Sequence, residues 1–529
     1  MSKSFKNISV VAVATMASRV LGLGRDMLVT MVFGVESLAS AFYTAFTLPN
    51  LFRRLLGEGA LTAAFVPTLS EELKARDRRG AFALVNQVST WLLVVSGGIV
   101  ALAMALLALF PRAAGRLQAA GVESDTVQRW VEAADLGVIL FPYLVCVCLA
   151  AAFSAALQTL GRFVEPALSP IWLNVAMITL LAGGAYGGWA ASAGGAMLWL
   201  CAGALGGGFL QMMVPALALA REGWRPRFDL GVNEPFRQIV RLMAPTLFGS
   251  AIYLINISVS RFLGLSLNDS AVATLNLATR LMELPIGVFT VAVSTVVFPL
   301  IARHAAAGEW TQLAGSYRKG LRLILVINVP AAVGLMVLAT PIIRVLFQRG
   351  AFDRGDTAAM APVLVVFALG LPLLSFVNIV LRAFYALKDT GTPVRAAALS
   401  FVVNLALSLL LMDRLGTVGL AVASNAAILV QAVYLQRQLT RKQAGLAFLP
   451  VMGDLIKVVA AAGVMGLVVA GGWHLWTMWT RDGSVVTAFG LLLVIVTGIA
   501  VYGGLVWTLR IEGRDDLAAV LEKVRARIG

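Results

Sequence analysis

Four arginines fall where a lipid-facing chain would carry none. Arg19, Arg25, Arg53 and Arg54 lie within the first two long apolar stretches, residues 8–34 and 38–71. A cation at the centre of a spanning helix costs roughly 2.5–3.5 kcal/mol even on the lenient insertion scale. A chain that keeps four in one region is expected to turn them into a protected, watery cavity. The natural occupant of such a cavity is an anion. Arginine presents a planar fork of donors that matches phosphate oxygens, so several forks in a low-dielectric site suit a diphosphate.

Local partners sort these charges. Arg54 and Glu58 are four residues apart, and Arg280 and Glu283 three apart, spacings that share a helix face. Asp26 can offset one further cation. The first two stretches still hold four arginines against Asp26 and Glu58. Arg19 and Arg25 are six apart, on different faces of an ideal helix, but Gly22 and Gly24 between them could let it bend so that both point inward. Arg261 lies near the outer end of its span, where bonding to a backbone carbonyl or snorkelling is the expectation. A hard cation wants carboxylate or carbonyl oxygens. Apart from Glu283, the later spans lack a central carboxylate, so Asn404 and Ser408 are only weak candidates for a metal site. No other metal-ligand spacing is present. His304 and His474 match neither a nucleophile nor a ligand pattern, so no enzyme is expected and no cofactor. The glycine-rich run at 203–209 lies inside an apolar stretch and reads as helix packing, not as a phosphate loop.

The elements that must hold these residues follow from composition. The chain has 529 residues, 59% hydrophobic and 13% charged, against about 25% charged in soluble domains. Apolar stretches of 18 or more residues recur from end to end, each able to cross about 30 Å of hydrocarbon. The fold class is an all-α polytopic membrane protein with about fourteen spans, near 8–33, 38–71, 83–110, 132–158, 165–187, 193–220, 238–263, 269–302, 320–347, 358–387, 394–412, 416–439, 454–479 and 484–509. The second and eighth carry internal proline and glycine and are expected to be bent or broken. Continuous apolar runs exclude a β-barrel. The N-terminal run is too long for a signal peptide, carries arginines and lacks a small-residue cleavage site, so it reads as a retained first span. Cys146, Cys148 and Cys201 fall inside spans and read as small packing residues.

The net charge of +15 follows the loops and does not point to nucleic acid. Of 42 Lys and Arg residues, 28 lie in loops on one side, 8 on the other and 6 within spans. That asymmetry places both termini in the cytoplasm. The segment after Arg510 has apolar residues at helical spacing, Leu517, Val520, Leu521, Val524 and Ile528, and is expected on the cytoplasmic membrane surface.

The two halves echo each other. The sequence around Pro67 resembles that around Pro299, the run from Ala152 that from Ala383, and the run at Asn174 that at Asn404, at offsets of 230–232. Six spans per repeat preserve orientation, so the repeats are parallel. The expected organisation is a six-helix bundle over 1–220, a second over 221–450 flanking a central cavity, and two further spans with an amphipathic tail over 451–529. Such an arrangement is that of a transporter.

The blocks that carry these features resemble one family. SRVLGLGRD at 18–26, LPNLFRRLLGEGALTAAFVPTLSE at 48–71, LGRFVEPALSPIWLN at 160–174, RLMELPIGV at 280–288, LFQRGAF at 346–352 and FYALKDTGTP at 384–393 are similar to the MurJ (MviN) lipid II flippases of the multidrug/oligosaccharidyl-lipid/polysaccharide exporter superfamily. The resemblance implies a fourteen-helix inner-membrane protein that moves the undecaprenyl-diphosphate-linked peptidoglycan precursor from the cytoplasmic to the periplasmic leaflet. It assigns substrate binding to Arg19, Arg25, Arg53, Arg280 and Ser18. Asp26, Arg54, Glu58 and Glu283 are expected as cavity ion pairs that bear on gating. Lipid II, membrane lipids and cell-wall synthesis proteins are the implied partners.

The chain departs from the family pattern at four positions. Ser40 stands where an acid is usual, Leu277 and Thr279 replace a tyrosine and an aspartate, and Ser408 replaces an acid that helps bind sodium in some relatives. These changes leave the cavity more positive and weaken the expectation of sodium coupling. Coupling to the membrane potential, about 2.3 kcal/mol per charge per 100 mV, remains the expected drive. The rivals are a flippase for another polyprenyl-diphosphate glycan, a drug/cation antiporter needing more central carboxylates than this chain has, and a non-transporting cell-wall scaffold docking through residues 513–529.

Overall fold

A computed structural model describes residues 3–55, 61–480 and 483–512. The described chain is almost wholly helical, and no strand occurs among the described residues. It divides into two compact units, Met1–Ala273 with Arg349–Phe352, and Thr274–Gln348 with Asp353–Gly529.

The first unit holds α1 (Lys3–Phe33), α2 (Ser37–Leu55), α3 (Leu61–Ala119), α4 (Ser124–Leu140), α5 (Tyr143–Thr159), α6 (Val164–Tyr186), α7 (Ala193–Arg221) and α8 (Glu234–Leu267). Its helix ends follow local chemistry. Gly34 closes α1 in the left-handed region (φ 61°), and its N–H donates to Thr30 O at 2.8 Å. Gly350, also at φ 61°, lets Ala351 N–H donate to Met31 O at 2.9 Å, and a Cβ at Gly350 would lie 2.1 Å from that same oxygen. The LFQRGAF block thus seals the end of α1, and only glycine fits its turn.

α3 joins what hydropathy reads as separate segments. Its interruption is Asp77, in the left-handed region at φ 59°, a conformation aspartate tolerates better than most residues. Between Asp77 and Ala119 an 18-residue stretch has a mean hydropathy of 2.6, and this part exposes Val95, Leu102, Leu106 and Leu109. A helix this apolar and this uncovered is solvated by lipid. The expected span at 132–158 is a pair, α4 and α5, bent by 45° at Phe141–Pro142. Proline at the joint removes a helical N–H.

The 203–209 run is helix packing, as expected. A Cβ on Gly203 would meet Met177 Cα at 2.7 Å, and one on Gly207 would meet Leu173 Cα at 2.8 Å. The small residues let α7 lie backbone to backbone on α6, which fixes α6 where the site needs it. Leu61, Phe65, Leu84, Leu144 and Leu157 form the centre of this unit's apolar core.

The second unit holds most of α9 (Ala271–Pro285), a π-helical turn (Ile286–Thr290), α10 (Val291–Ala307), α11 (Trp310–Val337), α12 (Ala339–Phe347), α13 (Arg354–Ala386), α14 (Gly391–Lys442), α15 (Met452–Trp479) and α16 (Ser484–Thr508). The eighth expected span is interrupted as its proline suggested. The π turn follows Pro285, where the helical hydrogen-bond ladder cannot continue in register. The expected bend or break of the second span lies at residues outside the described ones, which omit 56–60. The eleventh and twelfth spans are two helices that meet at a kink at Gly416 (φ 56°, ψ −138°), within α14. Ile301, Leu321, Ile324, Ile379, Phe384 and Leu435 centre the core of this unit.

Eight helices of the described residues are long and apolar enough to cross a membrane, or nine with α4–α5 taken as one. The chain is therefore a multi-pass helical membrane protein. Cys148 and Cys201 are buried and all three cysteines are free thiols.

Candidate functional site

Arg25 sits on α1, seven per cent exposed, beside a fully buried Asp26. Its Nε and Nη2 both donate to Asp26 Oδ1, at 3.0 and 2.7 Å. Nη1 turns to α6, donating to Asn174 Oδ1 at 3.2 Å, with Met177 Sδ at 3.9 Å. Asn174 Nδ2 in turn donates to the Ser18 and Pro170 carbonyls, each at 3.2 Å. Asn174 is thereby oriented by two backbone acceptors and offers its oxygen to the guanidinium. The arrangement neutralises a charge in a low-dielectric interior and satisfies donors that burial would otherwise leave unpaired.

Arg19 has different surroundings. It is half-buried and, among the described residues, makes no hydrogen bond or ion pair. α1 runs on as helix through Gly22 and Gly24, so six residues turn the face by about 240°. Arg25 faces α6, and Arg19 keeps its donors available. Ser18 is half-buried, its carbonyl held by Asn174. Arg53 and Arg54 lie on α2, but their side chains fall outside the described residues, as does the whole of Glu58.

In the second unit Arg280 and Glu283 pair on α9 at 3.8 Å, each side chain 38% exposed. The contact is an i,i+3 pair open to whatever occupies its surroundings. The departures from the family pattern have local consequences. Leu277 is fully buried in packing. Thr279 Oγ1 donates to Leu275 O at 2.7 Å, within its own helix. Asn404 and Ser408 are both buried, and Ser424 Oγ donates to Asn404 Oδ1 at 3.5 Å. Among the described residues no three His, Cys, Asp or Glu side chains gather as a metal site would need.

Sequence reasoning missed one cluster in the first unit. Arg129, counted as a loop cation, is eight per cent exposed. Its guanidinium donates to Leu265 O at 2.9 Å, Thr126 Oγ1 at 2.8 Å and Ser266 O at 3.3 Å, and pairs with Asp269 Oδ1 at 3.0 Å. Ser40, fully buried, donates to Asp269 O at 2.5 Å and accepts from Ala273 N–H at 3.2 Å. The serine thus supplies an acceptor to the first turn of α9, where backbone N–H groups have no helical partner. The available signal was α4 itself. It starts at Ser124, eight residues before the apolar edge near 132, so Arg129 is on a helix and not in a loop. Arg261 Nη1 donates to Val272 O at 3.1 Å, the carbonyl contact expected for it.

Two loops outside the apolar segments are clamped by charge. Arg162 pairs with Glu165, and with Glu222 at 3.0 Å; both carboxylates raise its pKa. In the second unit Asp389 accepts from Thr392 N–H at 3.0 Å and Thr392 Oγ1 at 2.6 Å and pairs with Lys442 Nζ at 2.6 Å. Desolvation pushes the Asp389 carboxyl up, but Lys442 and Thr392 together outweigh it and hold its pKa at about 2.

The family described as Lipid II flippase MurJ has a sequence model that matches residues 29–490. The chain is 32% identical over 501 residues to a probable lipid II flippase MurJ of Rhizobium meliloti (strain 1021), covering 94% of this chain and 92% of that one. Among solved structures it is similar to a lipid II flippase MurJ in an inward closed conformation, with a TM-score of 0.74, 26% identity, and coverage of 96% and 99%. An inward-facing multidrug resistance MATE family transporter of the MOP superfamily matches in fold, with a TM-score of 0.64 at 14% identity over 83% of this chain and 98% of that one.

Proposed function

The chain belongs to the MurJ lipid II flippase family, and from that premise we propose that it moves lipid II, the undecaprenyl-diphosphate-linked peptidoglycan precursor, from the cytoplasmic to the periplasmic leaflet of the bacterial inner membrane. It does so as a non-enzymatic transporter of fourteen spans, with both termini in the cytoplasm, by alternating access. The diphosphate is bound by Arg19, Arg25 and Arg53 of the first unit, with Ser18 beside Arg19, and Arg280 is the substrate-binding residue of the second unit. Asp26, Glu58 and Glu283 balance the cations between binding events, with Arg54 as the mate of Glu58. The membrane potential biases the cycle, and no metal or cofactor is required.

The observation that carries this reading is the contrast on α1. Arg25 is locked by Asp26 and Asn174, whereas Arg19 holds a guanidinium in reserve. Asp26 and Asn174 hold Arg25 in place as one contact to the diphosphate, and Arg19 brings an uncommitted guanidinium as another. A drug/cation antiporter would instead need anionic groups in reserve.

The test is complementation in cells depleted of the native flippase, reading exposure of lipid II to a probe confined to the periplasm. Arg25→Ala and Arg53→Ala, at normal abundance, are expected to abolish exposure. Normal exposure in both would reject the arginine site.

A further inference from the structure

We propose that a cavity at the α12–α13 end of the second unit binds an anionic phospholipid, with the headgroup phosphate on Arg344 and Arg354 and an acyl chain along α13. The cavity has a volume of about 740 Å³, within the roughly 300–1,000 Å³ of small-ligand sites. It lies wholly in the second unit and contains none of the residues assigned to lipid II.

Its lining combines the polar side chains of Arg344, Gln348 and Arg354 with apolar ones, among them Pro362, Val366 and Val418. No carboxylate is among the lining residues. The two nearest in sequence, Asp353 and Asp356, close the capping box that starts α13, each accepting from the other's backbone N–H at 2.9 and 3.1 Å. Arg354 is exposed and its side chain has no polar partner among the described residues. Arg344 is half-buried.

Geometry then selects the ligand. Pro362 and Val366 lie eight and twelve residues beyond Arg354, roughly 12 and 18 Å along the helix. One leaflet's hydrocarbon is about 15 Å deep. Ala358, Pro362 and Leu369 form an exposed stripe on α13, with Leu369 at 62%. A guanidinium pair beside an uncovered apolar stripe of leaflet depth matches a phosphodiester headgroup and its chain. A soluble anion would leave the apolar stripe uncovered, and a zwitterionic lipid would bring its own ammonium against the guanidiniums. Snorkelling alone accounts for one interfacial arginine but not for a cavity lined by two.

The full chain, purified in detergent, is titrated with phosphatidylglycerol or phosphatidylethanolamine, and bound lipid is counted by native mass spectrometry. Phosphatidylglycerol should be retained preferentially. Arg354→Gln should lower its retention about fivefold, the effect of one basic group at a lipid surface. Ala358→Trp, which fills the cavity from an exposed position and keeps both arginines, should lower it as well. Arg19→Ala should leave it unchanged. Both cavity substitutions are at exposed positions, so unchanged thermal unfolding verifies that each variant is folded. Equal retention of the two lipids by the unaltered chain, or undiminished phosphatidylglycerol in both cavity variants, would overturn the proposal.

Discussion

Asn174 and Asn404 stand at matching points of the two sequence repeats, 230 residues apart, and both are buried. Asn174 accepts from Arg25, while Asn404 accepts from Ser424. The duplicated scaffold keeps the amide in both units. In the first unit the amide oxygen faces a guanidinium and supports a buried ion pair; in the second it faces the Ser424 hydroxyl. Loop clamps show the same freedom. Arg162 reaches Glu222 just past the end of α7, and Asp389 reaches Lys442 at the end of α14. One turn is tied down by a cation and the other by an anion. A repeat fixes where polar anchors sit, and each unit chooses their sign.

The largest effect in this comparison should come from Asp26. Asp26→Ala leaves Arg25 buried without its counter-charge, at a cost of about 3–5 kcal/mol. Thermal unfolding of the purified variant should show a strong loss, partly restored by adding Arg25→Leu. A variant as stable as the unaltered chain would mean that the pair carries no weight.

The asparagines come next. Asn174→Ala removes an acceptor from a buried guanidinium, worth about 1–3 kcal/mol, and frees the Ser18 carbonyl. Asn404→Ala, which removes an acceptor from a neutral hydroxyl at 3.5 Å, should cost about 1 kcal/mol or less. Equal losses would erase the distinction between the units.

The smallest effect concerns the loop clamps. Asp389 has a folded pKa depressed to about 2, below an unfolded value near 3.9. The unfolded chain therefore binds the proton first as pH falls. The clamp's stabilisation is fully present above about pH 4 and is lost as pH drops through 2. Asp389→Asn should flatten that acid limb and cost less than about 1 kcal/mol at neutral pH, because Lys442 is 46% exposed.

Much of this was legible in the sequence because lipid imposes a simple rule: apolar runs must be helices. Hydropathy located the helical segments, and the turn at Asp77 falls between its spans and that at Gly416 at the start of one. It did not give the backbone conformations that make those turns. Nor did it place the start of α4, whose first turns are polar because they bind Leu265, Ser266 and Asp269. Within the site, Arg25 and Asp26 were legible from their burial cost. Their third member was not. Asn174 stood out only as a marker of the repeat, since a contact across 149 residues cannot be inferred from spacing along one helix.

Arg19 offers the most direct test of the central claim that the first unit's arginines bind the diphosphate. Unlike Arg25, it has no polar partner to lose among the described residues, so its removal separates ligand binding from folding. In depleted cells complemented with Arg19→Ala at unaltered abundance, periplasmic-probe exposure of lipid II should fall at least about tenfold, the loss of one charge-assisted contact, while thermal unfolding of the purified variant stays unchanged. Full exposure of lipid II by that stable variant would contradict the account.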